Sequence, residues 1–254
     1  MENKDIKVIT SINNNLIKEF YKLKEKKYRM INKEFLIEGE HLINEAYHAN
    51  RLKILLSNND DILNKYQVRE KYKVSEDIIK KLSHTTSPQG IIGICDIKEI
   101  AVDYNKYQHI LILDDVKDPG NIGTLIRTAL AFNIDLIVTS KDSCDIYNDK
   151  VVRASQGAIF NIDVIYKDLN LEIDLMKKNK IKIISTSLSA TTSVKDIEKF
   201  DKYAIILGNE ANGVHKDIQD LADINVIIPI SKEMESLNVA IAGAIMMYEV
   251  RKWK

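Results

Sequence analysis

Cysteine is nearly absent. The 254 residues hold two, Cys95 and Cys144, which are too few and too far apart for a disulfide scaffold. The chain opens Met-Glu-Asn-Lys-Asp, without the apolar run of a secretory leader, so a reduced, cytoplasmic protein is expected. Long hydrophobic runs are also missing. The best stretch, residues 239–247, falls well short of the roughly 18 residues that a bilayer span needs, so no membrane association is expected. The five histidines stand apart from one another and from carboxylate or thiol partners at ligand spacing, which argues against a metal site. There is no repeat of fixed period and no low-complexity tract. Net charge is absent too, with 37 basic against 37 acidic residues.

The charge is nevertheless unevenly spread. Residues 1–98 carry 18 basic and 14 acidic side chains, leaving 19 against 23 for the rest. With 45% apolar residues over this length, two globular domains are expected. Residues 1–98 read as a small α/β domain. A helix is predicted over 15–29, short strands at 35–37, 54–56 and 91–95, and helices at 41–49 and 76–82. Residues 99–108 lose periodicity and read as a linker. From 109 to 254, strands at 110–113, 136–139, 162–165, 181–184, 204–207 and 226–230 alternate with helices at 123–132, 148–155, 171–178 and 238–250. Strands alternating with crossover helices predict an α/β fold with a mostly parallel sheet covered on both faces. Ligands of such sheets bind beyond the carboxyl ends of the strands.

Three loops at such ends carry polar or small groups. After the strand at 110–113 come Pro119 and Gly120, which force a turn. Asn121 is placed to cap the following helix, and Arg127 lies about one and a half turns inside it. Free N–H groups beside an arginine suit a phosphate. The glycine spacing fits neither a dinucleotide fingerprint nor a P-loop. After the strand at 204–207, Gly208 and Gly213 bracket a sharp turn that leaves Glu210 exposed. The strand at 226–230 must finish near Pro229 or lie at an edge, because proline cannot donate to the ladder. Ser236 and Asn238 then stand at the mouth of the last helix. Singly, each loop reads as an ordinary turn or cap; together they read as one site.

These loops resemble the SpoU (TrmH-like) branch of the SPOUT class of RNA methyltransferases. The resemblance rests on Asp118-Pro-Gly-Asn-Ile-Gly-Thr-Leu-Ile-Arg-Thr-Ala, Leu207-Gly-Asn-Glu-Ala-Asn-Gly, and Ile228-Pro-Ile followed by Glu235-Ser-Leu-Asn-Val-Ala. It implies a deep trefoil knot in the C-terminal domain, bound S-adenosylmethionine, and a homodimer formed through that domain. By motif position it implies cofactor contacts at Gly208, Ile228 and Leu237, with Thr186 a further one, and catalytic or substrate-positioning roles for Asn121, Arg127, Glu210, Ser236 and Asn238. The reaction implied is methylation of a ribose 2′-hydroxyl in RNA, with ribosomal RNA fitting better than transfer RNA. A non-catalytic RNA-binding protein of the same fold and a base methyltransferase are the alternatives. Ile230 stands where the family commonly has Met, and Lys232-Glu-Met replaces a glycine-containing stretch. The front also resembles the family's RNA-binding domain through Lys27-Tyr-Arg, Phe35-Leu-Ile-Glu-Gly-Glu and Ser87-Pro-Gln-Gly.

Family accounts cast the counterpart of Arg127 as a general base. A guanidinium with a pKa above about 12 is a poor proton acceptor, so an electrostatic clamp on phosphate and developing alkoxide is the expected role. Glu210 is left between a catalytic part and that of holding its loop in shape. Residues 18–33 contain seven basic and two acidic side chains with Tyr21 and Tyr28 interleaved. Lys26, Lys27 and Arg29 are therefore expected to contact RNA.

Overall fold

The computed structural model describes residues 6–252. The chain divides into two compact units, the first comprising residues up to 99 together with 147–160, the second residues 100–146 together with 161 onward.

In the first unit the elements are β1 (Lys7–Ile9), α1 (Asn15–Lys22), α2 (Lys26–Asn32), β2 (Glu34–Glu38), α3 (Glu40–His48), β3 (Leu52–Ser57), α4 (Asp60–Lys65), β4 (Glu70–Val74), α5 (Glu76–Leu82) and β5 (Ile91–Asp96). The strands form a mixed sheet in the order β1-β4-β3-β5-β2, with β5 antiparallel to both of its neighbours. Phe20, Leu36, Leu56, Ile78 and Ile92 form part of its core. The single helix predicted over 15–29 is two. The chain turns at Leu23–Glu25, where the guanidinium of Arg29 donates to the carbonyl oxygens of Leu23 (2.8 Å) and Lys24 (2.7 Å), satisfying acceptors that end α1.

The second unit contains β6 (His109–Leu113), α6 (Pro119–Ala131) and β7 (Leu136–Ser140). After an excursion it continues through β8 (Asp163–Lys167), α8 (Leu169–Lys178), β9 (Lys182–Thr186), β10 (Thr192–Ser193), β11 (Tyr203–Leu207), α9 (Lys216–Asp220), β12 (Ile224–Ile227) and α10 (Val239–Val250). All seven strands are parallel, in the order β10-β12-β9-β11-β6-β7-β8. Every residue of β11 is buried, as expected for a central strand covered on both faces. β12 is internal, and it stops at Ile227, before Pro229 would have to donate to the ladder.

Two boundaries differ from the sequence reading. The excursion carries α7 (Asp149–Ala154), which sequence periodicity places in the second domain; it belongs to the first unit. The reason is aromatic packing: Tyr147 and Phe160, at the ends of the excursion, put their rings 4.7 and 6.1 Å from that of buried Phe35. The predicted linker 99–108 is also packed structure. Tyr104 is buried in the core of the second unit with its hydroxyl donating to Glu172, and the Tyr107 hydroxyl donates to Asp163 at 3.0 Å.

Candidate active site

The loop after β6 begins the site. Asp118, not Asn121, caps α6: its Oδ1 accepts from the Asn121 backbone N–H at 2.8 Å, and Pro119 takes the first helical position, where its missing N–H costs nothing. The Asn121 side chain is thereby released for longer-range contacts. Its Nδ2 donates to Glu210 Oε1 (3.0 Å) and its Oδ1 accepts from Asn238 Nδ2 (2.9 Å). Asn238 in turn caps α10, its Oδ1 accepting from the backbone N–H groups of Ala240 (2.9 Å) and Ile241 (3.3 Å). One asparagine thus joins its own segment to two others, 89 and 117 positions further along the chain.

Glu210 also accepts from the backbone N–H groups of Lys117 (3.3 Å) and Asp118 (3.2 Å). Partial burial by itself would push the Glu210 carboxyl up. The Asn121 amide and the backbone N–H groups of Glu210, Asp118 and Lys117 outweigh that, and the net shift is downward. Glu210 is therefore a carboxylate at neutral pH with its acceptor capacity already in use. The turn that carries it is closed by paired backbone hydrogen bonds between Asn209 and Gly213, both at 2.9 Å. Both glycines are required. Gly213 has φ +71°, and a Cβ on Gly208 would lie 2.0 Å from the Gly213 carbonyl carbon.

A cavity of about 450 Å³ lies at the carboxyl ends of β9, β11 and β12. Thr186, Gly208, Ile228 and Leu237, the four positions expected to touch a cofactor, all line it, as do Glu210 and Ser236. Asn121 and Asn238 do not line it: Asn121 is joined to it through Glu210, and Asn238 stands between Leu237 and Val239, which do line it. Arg127 is not brought to it. It lies on the exposed side of α6 and, among the described residues, forms no hydrogen bond or ion pair.

The sequence reading overlooked Asp118 and Asn209. Asn209 organises the turn, its Oδ1 accepting from Ala211 N (2.9 Å) while its Nδ2 donates to the Asp115 carbonyl (2.9 Å). The signal for Asp118 was present, since an aspartate before Pro-Gly at a strand-to-helix junction is a standard cap.

The whole-chain comparisons agree with this architecture. Residues 108–248 match the SpoU rRNA Methylase family, and residues 14–93 match the MRM3-like substrate binding domain. The chain belongs to the SpoU rRNA methylase family. A similar curated protein is the 23S rRNA (guanosine(2553)-2′-O)-methyltransferase RlmP of Bacillus subtilis, 34% identical over 97% of this chain and all of the relative. Among solved structures, the AdoMet-bound rRNA methyltransferase of Sinorhizobium meliloti superposes with a TM-score of 0.86 at 26% identity, covering 97% of each chain. An RNA 2′-O ribose methyltransferase superposes with a TM-score of 0.79 at 27% identity, over 96% of this chain and 97% of that one.

In the first unit of this SpoU family chain, the predicted basic patch is partly corrected. Arg29 is only 5% exposed and spends its donors on backbone carbonyls, so it is not a surface cation for RNA. Lys26 and Lys27 are exposed. Ammonium groups also sit over the two tyrosines: Lys24 and Lys81 over Tyr21 (5.0 and 5.7 Å), Lys22 and Lys27 over Tyr28 (5.6 and 5.7 Å).

Proposed function

We propose that this chain is an S-adenosylmethionine-dependent methyltransferase acting on a ribose 2′-hydroxyl of ribosomal RNA. The observation that carries the reading is the hydrogen-bonded set Asn121, Glu210 and Asn238, which ties the three family loops together at the rim of a cofactor-sized cavity. The residues present fit the cofactor. Leu188, Ile228, Ile230 and Leu237 supply apolar surface for an adenine, and the Glu210 and Glu235 carboxylates suit the sulfonium and ammonium charges. When bound, the cofactor supplies a methyl group on a cationic sulfur.

The chain's own residues would then act as follows. Gly208, Ile228, Leu237 and Thr186 hold the cofactor, and Ser236 with Asn238 fixes the loop that leads into α10. Asn121 sets α6 against that loop. Glu210, already anionic and accepting three donors, orders the turn and takes no proton. Arg127, exposed, outside the cavity and without a hydrogen bond or ion pair among the described residues, serves the RNA: it grips the phosphate beside the target ribose and stabilises negative charge developing on the 2′-oxygen, while that phosphate relays the proton to solvent. Lys26 and Lys27 extend the RNA contact into the first unit.

The reading includes a knotted second unit, supported by a strand order in which β9 lies between β11 and β12 and by the bond from Asn238 back to Asn121. It includes a homodimer, supported by Ile241 and Tyr248, seven residues apart on one side of α10 and each 53% exposed. It places the enzyme in the cytoplasm, consistent with Cys95 and Cys144 forming no disulfide and with the lack of any helix among the described residues long and apolar enough to cross a membrane. The deciding experiment maps 2′-O-methylated nucleotides in total RNA with and without the gene. One ribosomal position that loses its methyl group, restored by the purified chain and S-adenosylmethionine, supports the reading; an unchanged map refutes it.

A further inference from the structure

A second cavity, of about 420 Å³, opens at the carboxyl ends of β6, β7 and β8. It shares a wall with the first. Asp115 and Lys117 line the second cavity, while Asn209 and Glu210, which line the first, bond the Asp115 carbonyl and the Lys117 N–H. At Asp115 the wall adopts φ +59°, a left-handed conformation that an aspartate tolerates better than most residues, and the Ser140 hydroxyl accepts its N–H at 2.9 Å.

Five aspartates, three lysines and His215 line this cavity, and their pairing decides what it can take. Buried Asp114 accepts from the His215 backbone N–H (2.8 Å) and lies 2.9 Å from its Nδ1. Asp115 pairs with Lys117 at 2.5 Å, and Asp168 caps its own helix. The side chains of Asp142, Asp217, Lys141 and Lys167 form no hydrogen bond or ion pair among the described residues. Five carboxylates stand against three ammonium groups and His215, so the lining carries no positive excess, while Asp142 and Asp217 remain as open acceptors and Lys141 and Lys167 as open donors. Such a cavity disfavours a polyphosphate and suits a neutral ligand with both kinds of hydrogen-bonding edge. A nucleobase is such a ligand. Lys141 directly follows β7 and Lys167 ends the neighbouring β8, where it is the register partner of Ser140, so both ammonium groups belong to the same rim.

We propose that this cavity receives one unstacked nucleobase of the RNA substrate, next to the ribose that is methylated, with Lys141 and Lys167 holding the phosphates that flank it. The inference rests on the RNA reading above and adds a base-reading element that the three family loops do not contain. Single-stranded bases splayed out of a stem-loop are the parts of RNA that proteins read by their edges.

The test uses the full chain and a ribosomal RNA stem-loop spanning the nucleotide identified by the mapping, intact and with single abasic sites at the target and its neighbours. Binding is measured by fluorescence anisotropy for the wild type, Asp217→Asn, and the double variant Lys141→Ala with Lys167→Ala. One abasic position is expected to weaken wild-type binding about tenfold or more, and that penalty should fall below about threefold in Asp217→Asn, because base and carboxylate act as a pair. The double lysine variant should reduce the slope of log affinity against log salt by about 2. Affinity for S-adenosylmethionine, measured by calorimetry, should stay the same in all variants, which also reports that they fold. An abasic penalty that persists in Asp217→Asn, together with an unchanged salt slope in the lysine variant, overturns the inference while leaving the methyltransferase reading intact. A mapping that finds no target overturns both.

Discussion

Replacing Glu210 by alanine separates a residue that shapes the site from one that does chemistry. The carboxylate accepts from two backbone N–H groups and the Asn121 amide at 3.0–3.3 Å. Hydrogen bonds to a charged acceptor are worth about 1.5–3 kcal/mol each when water is excluded. Glu210 is exposed, however, so water replaces most of what truncation removes, and the net loss should be about 1–2 kcal/mol in total. For a chain of this size that is a fall in melting temperature of about 3–6 °C. Pairing the change with Asn121→Ala should give a coupling energy of about 0.5–1.5 kcal/mol, since the two side chains share a bond. The downward shift at Glu210 sets the sign of the pH effect. Its contribution is complete above the unfolded value of about 4.3 and is lost as pH falls through the lower folded value, so wild-type and Glu210→Gln melting temperatures should converge in acid. The assays are thermal melts across pH and single-turnover methylation at saturating cofactor. Because Glu210 is read as ordering the turn, the chemical step should slow by no more than about tenfold. A loss of about a thousandfold with an unchanged melting temperature would refute the reasoning, since that is the signature of a group acting in the transition state.

Four further outcomes are expected. Gly208→Ala should abolish S-adenosylmethionine binding measured by calorimetry, because the new methyl group meets backbone at 2.0 Å and no side chain can move aside. Arg127→Ala should lose methylation by at least about a hundredfold while cofactor affinity stays within twofold; retained methylation would remove Arg127 from the mechanism. Arg29→Ala should lower the melting temperature by several degrees through the orphaned carbonyls of Leu23 and Lys24, whereas reversing charge at Lys26 and Lys27 should weaken RNA binding and leave the melting temperature alone. Ile241→Asp with Tyr248→Asp should convert a dimer to a monomer in sedimentation equilibrium, with an unchanged mass arguing against α10 as the interface.

The centre of the parallel sheet was legible because Ile110 to Leu113 and Ala204 to Leu207 are unbroken apolar runs, the first ending at Asp114 and the second at Gly208. Strand β4, Glu-Lys-Tyr-Lys-Val, was not, because three of its five residues are charged and its hydrophobic contribution comes from Tyr72 and Val74 alone. α7 was read as a helix but assigned to the wrong unit. Periodicity reports that a helix has an apolar side and is silent on which core that side meets; here Tyr147, Phe160 and Phe35 decide it. The same limit applies to Arg29. An arginine in a basic run reads as surface, and only the break between α1 and α2, invisible to a helical period, turns it inward to two backbone oxygens.

The site shows a subtler version of that limit. Were Asn121 the cap of α6, its Oδ1 would be taken up by helix N–H groups, as that of Asn238 is in α10, and only its Nδ2 would remain for a distant loop. Asp118 resolves the conflict by taking the cap. The Asp-Pro-Gly-Asn order therefore has a physical rationale: the carboxylate ends the loop, the proline starts the helix without wasting a donor, and the asparagine, one turn in, is left with both ends of its amide free. Those two ends then satisfy one acceptor and one donor from loops more than eighty residues downstream. An aspartate in place of Asn121 would keep the size and lose the donor, setting a second carboxylate against Glu210. The three loops are thus held by a polarity that only an amide supplies, and the identity of that residue follows from assembling the site before any role in methyl transfer is considered.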